Sequence, residues 1–289
     1  MRVGERLAPW LLVGPVLLVF VLLFAVPIAL LFAGSFERVD TATFQVVERF
    51  TLHNYRKFLL DPFYLGVLGT TVRISLLVTL AALVTGYPVA SYLQRAGRRE
   101  RAALMLLIVS PLLVSLVIRS YGWVIVLGPR GLINSVLTGL HLVSAPVKLM
   151  YTETAVVIGL THVFYPFMVL AIYSSLQTID PAVVRAAQNL GASPRMAFWR
   201  VTLPLSVPGI VAGSLIVFAL SVSSFVTPTL LGGKNSLWFT EQIYTQFITR
   251  FNWEQGAAFG FLLLVLSTVI MWLGLTLTGQ RFGDVMRRS

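Results

Sequence analysis

The stretch at residues 185–210 reads RAAQNLGASPRMAFWRVTLPLSVPGI, and it lies between two long apolar segments of the chain. Asp180 and Ser193 each precede a proline, a pairing typical of a helix N-cap followed by the first helical residue. Gly191 stands where the first helix should end, at the position that favours a left-handed backbone. The spacing therefore predicts two short helices joined by a tight turn, followed by the next apolar segment.

The composition of the whole chain predicts a membrane protein. Of its 289 residues, 57% are hydrophobic and only 11% are charged, whereas soluble domains carry about 25% charged residues. There is no cysteine, which excludes disulfides and thiolate metal sites, and the three histidines show no metal-binding spacing. A net charge of +11 then indicates basic loops at a membrane rather than nucleic-acid binding.

Six stretches are long and apolar enough to cross a bilayer, which takes about 20 residues. They are residues 11–33, 66–91, 102–128, 153–176, 203–230 and 257–278. The first is too long for a signal peptide and lacks an A-x-A cleavage site, so we expect a retained anchor. The sequence thus predicts an all-α polytopic membrane protein with six transmembrane helices.

The charges of the loops predict the orientation of these spans. With the N-terminus in the cytoplasm, the inner loops and both ends hold twelve basic and four acidic residues, and the outer loops hold eight and seven. This bias follows the positive-inside rule, so both termini and the loop 181–200 are expected in the cytoplasm. Among the outer loops, residues 131–140 predict a short helix. Residues 237–248 predict an interfacial or re-entrant helix with either a packing or a gating role.

The loop 181–200 presents small residues, which allow another protein to approach closely. On physical grounds the choice lies between a docking surface and an ordinary connector. The spacing Ala186-Ala187, three residues, Gly191, nine residues and then Val201 resembles the EAA loop of ABC importer permeases. Two residues depart from that family pattern: Arg185 replaces its glutamate and reverses the charge, and Val201 replaces its isoleucine.

The resemblance extends along nearly the whole chain. Residues 115–134, 156–181 and 224–235 are similar to the spermidine/putrescine-type permeases of this superfamily. It implies a type I ABC importer permease of the bacterial inner membrane. It also implies partners: a second homologous permease, two copies of an ATPase that binds ATP and Mg, and a soluble substrate-binding protein.

The resemblance also implies how the chain is divided and which residues couple it to the ATPase. Residues 1–65 form an N-terminal anchor with an external loop, 66–278 the permease core, and 279–289 a cytoplasmic tail. The implied coupling residues are Arg185, Ala186, Ala187, Leu190, Gly191, Ala192, Ser193 and Phe198.

The chain lacks the sequence signals of an enzyme. A P-loop needs GxxxxGK[ST], and the nearest approach, GGKN at 232–235, has Pro228 in place of the first glycine. No G-x-S-x-G motif is present, so ATP hydrolysis and its cofactors are expected in a separate subunit. The alternatives are an ATP-independent secondary transporter or channel and a membrane-embedded enzyme. The first needs intramembrane acids or internal symmetry, and the second needs a convergent catalytic set.

Polar residues within the spans are candidates for the substrate pathway, because ionisable groups are costly in a bilayer. They are Arg119, Tyr121, Trp123, His162, Tyr165, Ser224, Thr227 and Thr229. Each is also a plausible packing residue, and Arg119 is either a pathway residue or an internal salt-bridge anchor. The resemblance favours a polyamine as substrate. The spans hold no central acid to receive one, so another small organic solute is the alternative.

Overall fold

The structure, a computed structural model, describes residues 13–40, 43, 45–233 and 237–286, with the backbone alone for 277–286. It is mainly helical. The helices are α1 (Val13–Gly34), α2 (His53–Leu60), α3 (Pro62–Arg95), α4 (Arg98–Val109), α5 (Leu116–Leu127), α6 (Leu132–Gly139), α7 (Glu153–Gln177), α8 (Pro181–Asn189), α9 (Pro194–Val222), α10 (Val226–Gly232), α11 (Phe239–Tyr244) and α12 (Trp253–Met286). The chain divides into two compact units, one of residues 1–65 and 242–266 and the other of 66–241 and 267–289.

The first unit contains α1, α2 and a hairpin that the sequence analysis did not predict. Strands β1 (Arg38–Asp40) and β2 (Gln45–Glu48) pair antiparallel. Beside them, the amide Nδ2 of buried Asn54 donates to the carbonyls of Ser35 at 3.1 Å and Glu37 at 2.8 Å. These bonds tie α2 to the chain that leaves α1, and the ring of Phe259 packs 5.4 Å from that of Phe58 on α2.

The second unit contains most of the predicted spans, and α7 lies at its centre. Half of the residues in the most apolar window of α7 are buried, a larger share than in the other candidate spans. In the described part of the chain, six segments are long and apolar enough to cross a membrane, as predicted. The predicted helix at 131–140 is confirmed as α6, and the one at 237–248 as α11, which continues through a π-helical turn at Thr245–Thr249.

The prediction of continuous third and fifth spans at residues 102–128 and 203–230 was wrong, because each range contains a break between two helices. A 3₁₀ turn at Ser110–Leu113 ends α4 before α5 begins, so the third candidate span is Leu116–Gly139. Pro111 explains the break, because proline lacks the N–H that continues an α-helix. The fifth helix begins earlier, at Pro194, and ends at Val222, leaving α10 as a separate helix. A π-helical turn at Phe198–Thr202 lies within α9, so this helix runs without a gap from the coupling segment into the span.

Two glycines bring α9 into close contact with α7. A Cβ atom on Gly209 would lie 2.4 Å from the Cβ of Ser175 and 2.7 Å from the carbonyl oxygen of Ala171. A Cβ on Gly213 would lie 2.8 Å from the sulfur of Met168. The two glycines are four residues apart, the spacing with which small residues let membrane helices approach. The α7–α9 pair is therefore packed backbone against backbone, with the loop 181–200 joining its two helices.

We expect Gly209→Ala to destabilise the chain, because the added methyl group has no room between α7 and α9. Overpacking of this kind lowers the free energy of unfolding by about 1–3 kcal/mol. Thermal unfolding in detergent measures the effect. Gly69→Ala on α3 is the matched control, since an added Cβ there meets no atom within 4 Å. Equal unfolding midpoints for the two variants would contradict the close contact.

Candidate coupling loop and substrate pathway

The local geometry of the loop 181–200 confirms the predicted helix starts and stop. Asp180 Oδ1 accepts from the backbone N–H of Ala182 at 2.8 Å, and Ser193 Oγ accepts from that of Met196 at 3.3 Å. Gly191 has φ +93°, a region that residues with a side chain rarely adopt. Asp180 thus defines the start of α8, and Gly191 and Ser193 form the turn between α8 and α9.

Most of the predicted coupling residues lie on the surface of this loop. Leu190 is 89% exposed at the end of α8, which is unusual for a leucine next to a turn. Arg185, Ala186, Gly191 and Ser193 are exposed, and Ala187, Ala192 and Phe198 are half-buried. The loop thus presents an apolar tip with small residues around it.

Phe198 has an internal role that links the loop to α3. Its ring lies 5.7 Å from the ring of Tyr87, edge to face. The hydroxyl of Tyr87 in turn lies 2.9 Å from that of Ser206 on α9. The start of α9 is therefore fixed to α3 by one aromatic contact and one hydrogen bond.

The sequence analysis did not identify Trp199 and Met196 as surface residues of this segment. Trp199 is 64% exposed and Met196 42% exposed. The available signal was the aromatic pair Phe198-Trp199, since adjacent helical residues cannot both face the same neighbour. With Leu190 and Val183, which is 47% exposed, they give the loop four large exposed apolar side chains.

The exposed charges of the loop are all positive. Arg185, Arg195 and Arg200 are exposed, and none of them forms an ion pair within the described part of the chain. The carboxylate of Asp180 caps its own helix. A partner that covers this surface would meet uncompensated positive charge.

Within the spans, Trp123 on α5 and His162 on α7, two of the predicted pathway residues, are in direct contact. The indole Nε1 of Trp123 donates to Nδ1 of His162 at 3.1 Å, and their rings lie 5.5 Å apart. Because Nδ1 accepts this bond, the proton of a neutral His162 is on Nε2. That tautomer leaves the Nε2–H as a donor.

Arg119 lies one turn before Trp123 on α5, and no described residue provides a counter-ion for it. Its Nε and Nη1 atoms are buried, and neither has a hydrogen-bond acceptor among the described residues. The internal salt bridge considered in the sequence analysis is therefore absent from the part of the chain that the structure covers. A guanidinium in a membrane span without an acceptor is costly.

The other predicted pathway residues are not gathered into the same cluster. Thr227 is fully buried, with its hydroxyl 3.0 Å from that of Ser120, so it joins α10 to α5. The hydroxyl of Thr229 bonds to its own helix, and that of Tyr165 donates to the carbonyl of Thr85 on α3 at 3.1 Å. Ser224 is buried beside α11, and Tyr121 is 53% exposed. Their roles in a pathway stay predictions.

The comparison with known protein families decides the class of this molecule. A family model described as "Binding-protein-dependent transport system inner membrane component" matches residues 6–278. The chain belongs to this family. It is a permease subunit of an ABC importer and a multi-pass protein of the bacterial inner membrane, as the sequence predicted.

Individual relatives and solved structures agree with this assignment. The "Spermidine/putrescine transport system permease protein PotB" of Salmonella typhimurium (strain SL1344) is 36% identical over 268 residues, 92% of this permease and 93% of the relative. A bacterial ABC transporter that imports the acidic polysaccharide alginate matches with TM-score 0.79 at 18% identity, over 97% of this chain and 99% of that chain.

A second solved structure matches with a similar score. It is a bacterial alginate ABC transporter in complex with a periplasmic protein that holds an alginate pentasaccharide, with TM-score 0.77 and 18% identity over 96% and 97% of the two chains. At such identities the likeness to solved structures shows the fold, that of type I ABC importer permeases.

We expect Trp123→Phe to destabilise the permease, because Nδ1 of His162 loses its donor while the ring volume is largely kept. A net hydrogen bond contributes about 0.5–1.5 kcal/mol to the free energy of unfolding. Unfolding of the purified permease in detergent measures the difference. Trp272→Phe on α12 is the control, since Trp272 is 62% exposed. If both variants unfold alike, the Trp123–His162 bond contributes nothing measurable.

Proposed function

We propose that this permease forms half of the translocation pathway of a polyamine importer driven by a separate ATPase. The ATPase partner is inferred from the loop 181–200, whose tip exposes Leu190 beside Gly191 in a left-handed conformation. Two copies of the ATPase, each binding ATP and Mg, supply the energy, one to this loop and one to its counterpart in the second permease. Domain 66–278 is the permease core, and residues 1–65 add the anchor and an outer loop.

The orientation follows from the charges. Both termini and the loop 181–200 face the cytoplasm, where the ATPase is, because the basic residues concentrate on that side. A soluble binding protein delivers the substrate to the opposite face. The alginate transporter solved with a periplasmic protein is a fold relative that supports such a partner.

A second, homologous permease completes the pathway. Arg119 supports this proposal, because its buried Nε and Nη1 atoms have no acceptor among the described residues. An acceptor from a facing subunit would satisfy them and offset the cost of desolvating the guanidinium. The pathway residues of this half are Arg119, Trp123 and His162, with the more weakly supported Tyr121, Tyr165, Ser224, Thr227 and Thr229.

Spermidine or putrescine is the proposed substrate, because the 36% identical relative PotB is named as a spermidine/putrescine transport permease. Another small organic solute is the alternative. A secondary transporter or channel would need neither the exposed loop nor a partner.

Purification of the tagged permease from its native membrane in mild detergent tests this proposal. An ATPase and a second permease in the eluate, together with spermidine uptake after reconstitution with the binding protein, are the expected result. A permease that purifies alone and still moves solute in liposomes would establish the secondary-transporter alternative instead.

We expect Gly191→Asp to abolish transport and to leave membrane insertion intact. A Cβ at this position has open space within the chain, so the variant can fold, but φ +93° strains the turn and the carboxylate occupies the docking surface. Uptake and ATPase co-purification measure the effect. Gly97→Asp, in the loop between α3 and α4 with equal open space, is the control. Normal uptake by Gly191→Asp would exclude docking through this turn.

A further inference from the structure

Glu241 lies in the first turn of α11, and two hydrogen bonds fix the position of that turn. The hydroxyl of Thr71 on α3 accepts from the backbone N–H of Phe239 at 3.0 Å in a buried contact. The hydroxyl of Thr240 donates to the carbonyl of Ser224 at 2.7 Å. The carboxylate is therefore held on a rigid support beside the turn between α9 and α10, where the predicted pathway residue Ser224 lies.

This carboxylate has no partner within the described part of the chain. Its Oε2 atom is buried and accepts no hydrogen bond, and the side chain forms no ion pair. Burial raises the pKa of Glu241, and no positive group among the described residues lowers that pKa again. Burying a charge without a partner destabilises a protein, so this carboxylate is suited to a cationic partner that the described residues do not supply.

Other acidic residues of the outer loops are placed differently. Glu153 pairs with Arg73, and both side chains are more than half exposed. Glu48 pairs with Arg38 at 3.5 Å, again at the surface. Those acids are solvated and compensated by a neighbour, whereas Glu241 is half-buried and uncompensated.

We propose that the Glu241 carboxylate binds an ammonium group of the substrate as the substrate enters the permease. An alkylammonium brings a full positive charge and N–H donors, which give strong, charge-assisted bonds with a carboxylate. A metal ion is a poor fit, because the described residues contain no group of three or more metal-binding side chains. The inference rests on the proposed polyamine transport. It places an acid at the outer end of the pathway, although the spans hold no central acid.

The test compares Glu241→Gln with Glu153→Gln in the complete reconstituted importer, which contains the ATPase, the second permease and the binding protein. Uptake of labelled spermidine and of putrescine is measured at saturating binding protein, together with the yield of assembled complex and its ATPase rate without substrate. Glutamine keeps the shape of the side chain and removes its charge. We expect Glu241→Gln to assemble normally and to lower uptake about ten- to a hundredfold, the range for a bond to a charged group. Glu153→Gln should transport like the wild type.

Three results would overturn the inference, and they are distinguishable. Wild-type uptake by Glu241→Gln would exclude the contact while the proposed function stands. Loss of assembly in Glu241→Gln, with normal assembly of Glu153→Gln, would show that a basic residue of the second permease is the partner. Absence of polyamine uptake by the wild-type importer would remove the proposed substrate and this contact with it.

Discussion

The close contact between α7 and α9 at Gly209 and Gly213 fixes to each other the two helices that flank the loop 181–200. Since no Cβ fits at Gly209, the two backbones lie in close contact there, without a side chain of α9 between them. Both run directly into the loop 181–200, one at each end. Phe198 and Tyr87 extend the connection to α3. A movement imposed on the loop would therefore reach the middle of the bundle through rigid elements rather than through flexible connectors.

The polar groups inside the apolar bundle fall into two kinds. Some are satisfied within the chain, such as the pair of Trp123 and His162, and these join neighbouring helices. Others are not: the guanidinium of Arg119 and the carboxylate of Glu241 each keep a buried atom without a partner among the described residues. A chain that leaves charges of both signs unpaired in this way is incomplete as an isolated unit. Assembly and substrate would supply what is missing.

Local signals were predictable from the sequence, whereas contacts between distant segments were not. The caps Asp180 and Ser193 and the left-handed Gly191 depend on a few neighbouring residues, and the structure has them where the spacing indicated. The break at Ser110–Leu113 was not predicted, because apolar runs with proline also occur in continuous membrane helices. The position of the helical turn that carries Glu241 depends on hydrogen bonds to Thr71 and Ser224, residues too distant in sequence for any local pattern to reveal. Trp199 lies in a predicted helix, but the sequence alone does not predict that its side chain is exposed. The exposure follows from the packing of its neighbour Phe198 against Tyr87.

The central claim is that the loop tip at Leu190 docks on an ATPase, and site-specific cross-linking in native membranes tests it most directly. The chain contains no cysteine, so Leu190→Cys provides a unique attachment site for a photoactivatable cross-linker. The same substitution at Leu140, a residue just after α6 that is also exposed, is the control for the opposite face. We expect a cross-linked product with the ATPase from position 190 and none from position 140. Labelling at position 190 without any ATPase adduct would contradict docking of the loop tip on the ATPase.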